Sequence, residues 1–214
     1  MKIEALHQFH DMEFSQGWAD RFEPTPERIR LFKTILYHIQ TLEMEEPVVL
    51  ELGIGPGFLA NFLLESSAKI QYEGLDYSQP MLNMASERTK KHGTRINFTQ
   101  ADLIHDDWIG KLKRTPNVIV STWALHDLFE KGNILNVYRS VYSILPIEGI
   151  FLNGDFIKPE TSNFEYEGGR IKPSEHLELL QSAGFDNFEC LAEFEKSVEN
   201  STTSNNYACF KGRK

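Results

Sequence analysis

From residue 47 onward the chain alternates between two apolar rhythms. Short continuous apolar runs, at residues 47–52, 70–75, 95–100, 117–121 and 149–153, read as buried strands. Between them, residues 58–66, 78–93, 131–145 and 173–183 carry apolar residues three and four apart, the spacing of one helix face. Met81, Leu82, Met84 and Ala85 make one such face, and Ile134, Val137, Val141 and Ile144 another. Ser78 stands at an N-cap with Pro80 in the first turn, where the missing N–H costs little; Gly93 and Gly184 stand where helices stop. Two further strand-like runs, 185–194 and 206–211, flank a polar stretch at 199–206 that reads as a loop. Ahead of the alternation, Thr25-Pro26 starts a helix whose apolar face is Ile29, Phe32, Ile35, Leu36, Ile39 and Leu42.

Alternating strands and helices predict an α/β fold, with a mostly parallel sheet and helices on both faces. The last two strands have no helix between them, so one of them runs antiparallel. The expectation is a Rossmann-like seven-stranded, mostly parallel sheet with an antiparallel last strand and an N-terminal helical cap. At 214 residues this is one domain, with the cap at 1–46 and the α/β core at 47–214.

Composition narrows the partners. A net charge of −9 argues against a nucleic-acid backbone, which needs clustered Lys and Arg. The basic clusters, Lys90-Lys91 and Lys111, Lys113 and Arg114, fall where helices should end and read as solvated cations complementing the helix dipole. No apolar run approaches the roughly 20 residues that span a bilayer, so no membrane partner is expected. Residues 1–7 lack an apolar stretch and carry an early acid, unlike a signal peptide. Cys190 and Cys209 are too few for a disulfide framework or a zinc site and read as buried free thiols, which fits a cytoplasmic protein.

The candidate chemistry lies where the first strand ends. Val-Val-Leu-Glu51-Leu runs into Gly53, Gly55 and Gly57, then into a helix-like run from Phe58. Glycines at a strand–helix turn let the backbone turn sharply and a ligand approach it. A dinucleotide fold wants G-x-G-x-x-G, but its third glycine position holds Phe58, which would crowd a pyrophosphate at the helix start. A P-loop would need a Gly-Lys-Ser/Thr end, which is absent. Asp76 ends the second strand, roughly 20 residues after Gly53, the spacing of an acid that holds ribose hydroxyls. Asp102 ends the third, in Thr99-Gln100-Ala101-Asp102-Leu103, although an aspartate there also fits a turn cap.

The E-x-G-x-G-x-G pattern, Glu51 to Gly57, resembles motif I of class I S-adenosylmethionine-dependent methyltransferases. The resemblance covers about residues 47–212. The segment Ser121-Thr122-Trp123-Ala124-Leu125-His126-Asp127-Leu128 is similar to the family's S-x-x-x-L-H-H-L, with Asp127 in place of the second histidine. Leu145-Pro146-Ile147-Glu148-Gly149 is similar to L-x-P-G-G, and Leu179-Leu180-Gln181-Ser182-Ala183-Gly184-Phe185 to L-L-x-x-A-G-F. The resemblance implies transfer of a methyl group from S-adenosyl-L-methionine to a small-molecule acceptor by in-line displacement, leaving S-adenosyl-L-homocysteine. It implies that Gly53, Gly55 and Gly57 border the methionyl part and ribose with Glu51 nearby, and that Asp76 holds the ribose diol. Tyr77 would pack on adenine, Asp102 and Leu103 would read its edge, and the backbone at Ser121 and Thr122 would meet the methionyl amino group.

The acceptor side is less marked. His126 is a candidate general base, with Trp123 beside it, although a histidine there also fits a helix cap. The aromatic arm at residues 9–22 offers Trp18 and Arg21 as a lid over a cleft, and the insertion at 156–172 offers Arg170 for an acidic acceptor. No metal-ligand spacing stands out, so no metal is expected. A small-molecule partner and a monomer or homodimer complete the expectation. Two alternatives stay open: a catalytically silent protein of this fold acting through its N-terminal arm, and an NAD-dependent oxidoreductase, which Phe58 disfavours.

Overall fold

The computed structural model describes residues 8–21, 24–194 and 206–214. The loop expected at 199–206 and Phe22 of the aromatic arm therefore lie, but for Asn206, outside the described residues, as does the segment 1–7. The strands belong to a seven-stranded, mostly parallel sheet, and the chain divides into two compact units at Thr115 and Pro116.

The first unit opens with a 3-10 turn, Gln8–His10, and helices α1 (Met12–Arg21) and α2 (Pro26–Gln40). Thr25 caps α2, its hydroxyl accepting from Arg28 N, and Pro26 occupies the first turn. The buried face of α2 is Leu31, Phe32, Ile35 and Ile39; Ile29, Leu36 and Leu42 are only half-buried, so the apolar stripe lies rotated from the expected one. Strands β1 (Val48–Leu52), β2 (Gln71–Asp76) and β3 (Ile96–Gln100) follow, in the order β3-β2-β1. Helix α3 (Phe58–Ser66) connects β1 to β2 and α4 (Gln79–Thr89) leads toward β3. Gly93 does not end α4. The helix stops at Thr89, and Gly93 bends the 3-10 segment Lys90–Arg95 at φ 58°. Nearly every residue of β1 and β2 is buried, as expected of parallel strands covered on both faces. Arg114 departs from the solvated-cluster expectation. Its guanidinium donates to the carbonyls of Tyr72 and Thr94 and pairs with buried Glu73.

The second unit holds β4 (Val118–Thr122), α5 (Lys131–Ile144), β5 (Ile150–Phe156), α6 (Pro173–Ala183), β6 (Asn187–Phe194) and β7 (Tyr207–Arg213). Its strand order is β4-β5-β7-β6, with β4 and β5 parallel and β7 antiparallel to both neighbours. A crossover helix lets β5 run parallel to β4; without one, β7 must return antiparallel to β6. Cys209 on β7 is buried, and burial pushes its thiol up; Cys190 on β6 is only half-buried.

Register sets up both candidate sites. Leu52 pairs with Leu75, so Gly53 and Asp76 leave β1 and β2 side by side, and Gly53 N donates to Leu75 O at 2.8 Å. Thr122 pairs with Gly154, and Trp123 N donates to Gly154 O at 2.8 Å, which carries the segment after β4 alongside Asp155.

A polar chain crosses the core of the second unit. Asn153 Nδ2 donates to Tyr138 OH at 2.9 Å, and that hydroxyl lies 2.8 Å from His176 Nδ1. His176 is fully buried and stacks on Phe210 at 4.4 Å. Burial disfavours the imidazolium and holds the His176 pKa down at about 4, against an ordinary 6.5. The unfolded chain therefore binds a proton that the folded chain does not, and stability falls as pH drops from about 6.5 toward 4. The expected loss is about 3 kcal/mol across that window. Urea midpoints measured against pH should show this slope in the wild type and a flatter one in His176→Phe; equal slopes would remove His176 as its source.

Candidate active site

In the first unit the glycine turn is held from two directions. Gly53, Gly55 and Gly57 all have positive φ, at 70°, 51° and 78°. Gly57 caps the start of α3, and a Cβ there would press within 3.0 Å of Ala85 on α4. Only glycine permits that approach of the turn to the helix. Gly55 differs: a Cβ built on it would meet nothing within 4 Å. The turn leaves open space over Gly55 while packing tightly at Gly57. Phe58 begins α3 with the Arg88 guanidinium 3.8 Å above its ring.

Asp76 joins this turn to the next helix. Its Oδ2 accepts from Gly55 N at 2.8 Å and its Oδ1 from Ser78 N at 2.9 Å. Ser78 in turn caps α4, its Oγ accepting from Met81 N at 3.2 Å. The carboxylate is nearly fully buried, and two backbone N–H groups satisfy it, which stabilises the charged form. Glu51 is also buried, and Tyr72 OH donates to its Oε2 at 2.7 Å. Burial and the Glu51 charge push the Tyr72 hydroxyl well up, so it stays a donor. Tyr77 is half-buried beside Asp76. Asp102 and Leu103 follow β3, where Asp102 Oδ1 accepts from Ile104 N and His105 N, the turn-cap geometry.

The second unit carries a histidine–carboxylate dyad. His126 lies in a 3-10 turn, Leu125–Leu128, after Ser121 and Thr122 end β4. Its Nδ1 lies 2.7 Å from Asp155 Oδ1, and its backbone N donates to Asp155 Oδ2 at 2.9 Å. Asp155, at the end of β5, is 1% exposed. Burial pulls the His126 pKa down, but the Asp155 charge and hydrogen bond outweigh it and the net shift is upward. The pair fixes the ring, turns Nε2 away from Asp155 and makes that nitrogen a stronger base. Phe156 meets the His126 ring edge-on at 5.1 Å, and Arg170 stacks over Phe156 at 4.6 Å while its Nε donates to Glu167. The Arg170 side chain is mostly buried, not a solvated cation. Gly169 crosses directly over the His126 carbonyl, where a Cβ would overlap it. Trp123 takes φ 50° and turns its ring edge to Tyr207.

Asp155 is the functional residue that the sequence reading passed over, although the strand-end acids at 76 and 102 give the rule that finds it. Tyr72 is another; nothing in the pattern marks a mid-strand tyrosine as the donor to Glu51. Trp18 of α1 packs edge-on against Phe9 at 5.6 Å, and Arg21 ends α1 on the exposed side. Among the described residues, no group of three or more His, Cys, Asp or Glu is placed to hold a metal ion.

Residues 49–149 match the family described as Methyltransferase domain. That segment is similar to a methyltransferase domain. The match spans the glycine turn, Asp76, Asp102 and His126, and stops short of Asp155, Arg170 and the N-terminal arm. A curated relative, the uncharacterized methyltransferase YdaC of Bacillus subtilis (strain 168), is 35% identical over 48 residues, 22% of this chain and 26% of YdaC. Among solved structures, the CurJ carbon methyltransferase superposes with a TM-score of 0.70 at 13% identity, covering 99% of this chain and 60% of that one. Human N-acetylserotonin methyltransferase in complex with SAM gives a TM-score of 0.63 at 17% identity, covering 95% and 55%. At these identities the likeness shows the fold: the Rossmann-like, seven-stranded methyltransferase fold with its antiparallel last strand. The chain spans about half the length of these proteins, and less of YdaC. Among the described residues, no helix is long and apolar enough to cross a membrane.

Removing the hydroxyl in Tyr72→Phe takes one donor from a buried carboxylate. The protein should lose about 1–3 kcal/mol of stability in urea unfolding. An unchanged midpoint would show that Glu51 does not depend on Tyr72.

Proposed function

We propose that this chain transfers a methyl group from S-adenosylmethionine to a small-molecule acceptor by in-line displacement. The observation that carries the reading is the Asp76 carboxylate bound to Gly55 N, with open space over Gly55, inside the segment that matches the methyltransferase family. The residues present fit the cofactor. A strand-end acid suits a ribose diol, and a glycine turn without side chains suits a ligand resting on its backbone. Asp76 and Tyr77 would hold the nucleoside, Gly53 to Gly57 and Glu51 would border the rest, and Asp102 and Leu103 would meet the adenine edge. Ser121 and Thr122 would present backbone groups to the amino-acid tail. When bound, the cofactor supplies a methyl group activated by a sulfonium. No covalent enzyme intermediate is required, so the chain's residues act by orientation and by excluding water.

The His126–Asp155 dyad suits an acceptor with a hydroxyl or amine. His126 Nε2 would take the acceptor proton while Asp155 holds Nδ1 and stabilises the imidazolium that forms. Trp123 and Arg170 in the second unit, and Trp18 and Arg21 in the first, are the further candidates for acceptor contact. The 156–172 loop is too short to be a substrate domain, which supports a small acceptor. The net charge of −9 supports a partner other than nucleic acid.

Thermal-shift measurements should show stabilisation by S-adenosylmethionine and S-adenosylhomocysteine and none by NAD; stabilisation by NAD alone would overturn the reading. Because Asp76 also holds Gly55 N and Ser78 N, alanine would remove both acceptors, so Asp76→Asn, which keeps one of them, is the milder variant. It should weaken S-adenosylhomocysteine binding by about ten- to hundredfold in calorimetry; wild-type affinity would remove Asp76 from the site. An enzyme, unlike a silent binder, should release S-adenosylhomocysteine when offered a panel of small hydroxyl and amine acceptors.

The pH profile tests the base. Methyl transfer should rise with pH as His126 loses its proton, above the ordinary histidine value of 6.5 because its pKa is raised. Asp155→Asn removes the larger of the two charges that raise it, Asp127 being the other, so the rising limb should move to lower pH and the plateau should fall. An unmoved limb would mean that His126 is not the titrating base.

A further inference from the structure

The N-terminal arm docks on the residues that hold the nucleoside in the reading above. Phe9 O accepts hydrogen bonds from Ser78 Oγ and from Ser15 Oγ of α1. Ser78 is the same residue whose backbone N holds Asp76 and whose hydroxyl caps α4. Phe9 is wedged edge-on between Phe14 at 5.3 Å and Trp18 at 5.6 Å, so the 3-10 turn and α1 move as one piece. The next residue, His10, meets the ring of Tyr77 at 5.0 Å with the planes 85° apart. His10 Nε2 is buried and makes no hydrogen bond to any described residue. A buried imidazole nitrogen without a partner is costly, on the order of 1–3 kcal/mol. Such an atom, on a ring packed against Tyr77, the residue that follows Asp76, calls for a ligand atom to complete it.

We propose that His10 is a cofactor-contacting residue, its Nε2 meeting an oxygen of the adenosine half of the bound methyl donor. The proposal rests on the methyltransferase reading and extends it to a residue outside the matched segment. The adenosine half is assigned because the ring on which His10 packs, Tyr77, follows directly on Asp76. Imidazole suits an oxygen ligand, donating from Nε2–H in one tautomer and accepting in the other.

The test is calorimetric binding of S-adenosylhomocysteine and of 5′-methylthioadenosine, which lacks the amino-acid tail, to the wild type, His10→Phe and His10→Gln. Phenylalanine keeps the edge contact with Tyr77 and removes the polar atom; glutamine restores a polar nitrogen at a similar reach. The expected result is a loss of about tenfold for both ligands in His10→Phe, corresponding to about 1.4 kcal/mol, and recovery in His10→Gln, with ligand-free melting temperatures alike in all three. Equal binding by all three proteins overturns the proposal and leaves the cofactor reading standing. So does loss that glutamine does not restore, or that accompanies a lowered ligand-free melting temperature, either of which places His10 in packing. Loss confined to S-adenosylhomocysteine overturns the adenosine assignment. A wild type that binds neither ligand removes the cofactor reading and the proposal together.

Discussion

The first unit is organised by one carboxylate. Asp76 accepts from Gly55 N on one oxygen and Ser78 N on the other, so the turn after β1 and the cap of α4 share a single buried charge. Each charge-assisted bond to backbone N–H is worth more than a neutral one. Gly57 then fits against Ala85 because α4 has been fixed relative to the turn, and the arm docks because Ser78, held by Asp76, has a hydroxyl hydrogen left to give to Phe9. Remove the carboxylate and three features lose their common reference: the turn, the helix start and the arm.

The second unit repeats the device with different chemistry. Asp155 also stands at a strand end and also binds a backbone N–H, that of His126, with one oxygen. Its other oxygen meets an imidazole rather than a second peptide. At Asp76 the outcome is a fixed backbone; at Asp155 it is a fixed ring with a raised pKa. Burial alone would have made His126 a weaker base, as it does His176, which has a tyrosine hydroxyl as neighbour instead of a carboxylate. Two histidines in one unit thus shift in opposite directions, and the carboxylates beside His126, Asp155 first and Asp127 second, make the difference.

What was legible in the sequence follows from where backbone constraint is tight. Helix α3 spans 58–66 as its pattern predicts, and β1, β2 and β4 begin and end within a residue or two of their apolar runs, because parallel strands buried on both faces leave unbroken apolar signals. The glycines at 53, 55 and 57 were readable because positive φ disfavours residues with a Cβ. The rotated face of α2 was not, since Leu31 and Ile29 carry the same pattern and only tertiary packing chooses between them. The helix stop at Thr89 preceded its glycine for the same reason. At the candidate site, the strand-end acids Asp76 and Asp102 stood out by position, whereas Tyr72, Asp155 and His10 meet side-chain partners distant in sequence, which no local spacing encodes. Asp102 reads both ways in sequence, and the structure uses one of its oxygens for the turn.

This difference in constraint separates the rigid part of the first unit from the responsive part. Asp76 cannot be shifted without breaking two backbone hydrogen bonds. The arm, by contrast, meets the Tyr77–Ser78 segment through one hydroxyl and one ring edge, contacts of roughly 0.5–1.5 kcal/mol each. Ser15 and Ala19 of α1 are buried as well, so packing also holds the arm, and the buried Nε2 of His10, which bonds to no described residue, is where a ligand contact would add to it.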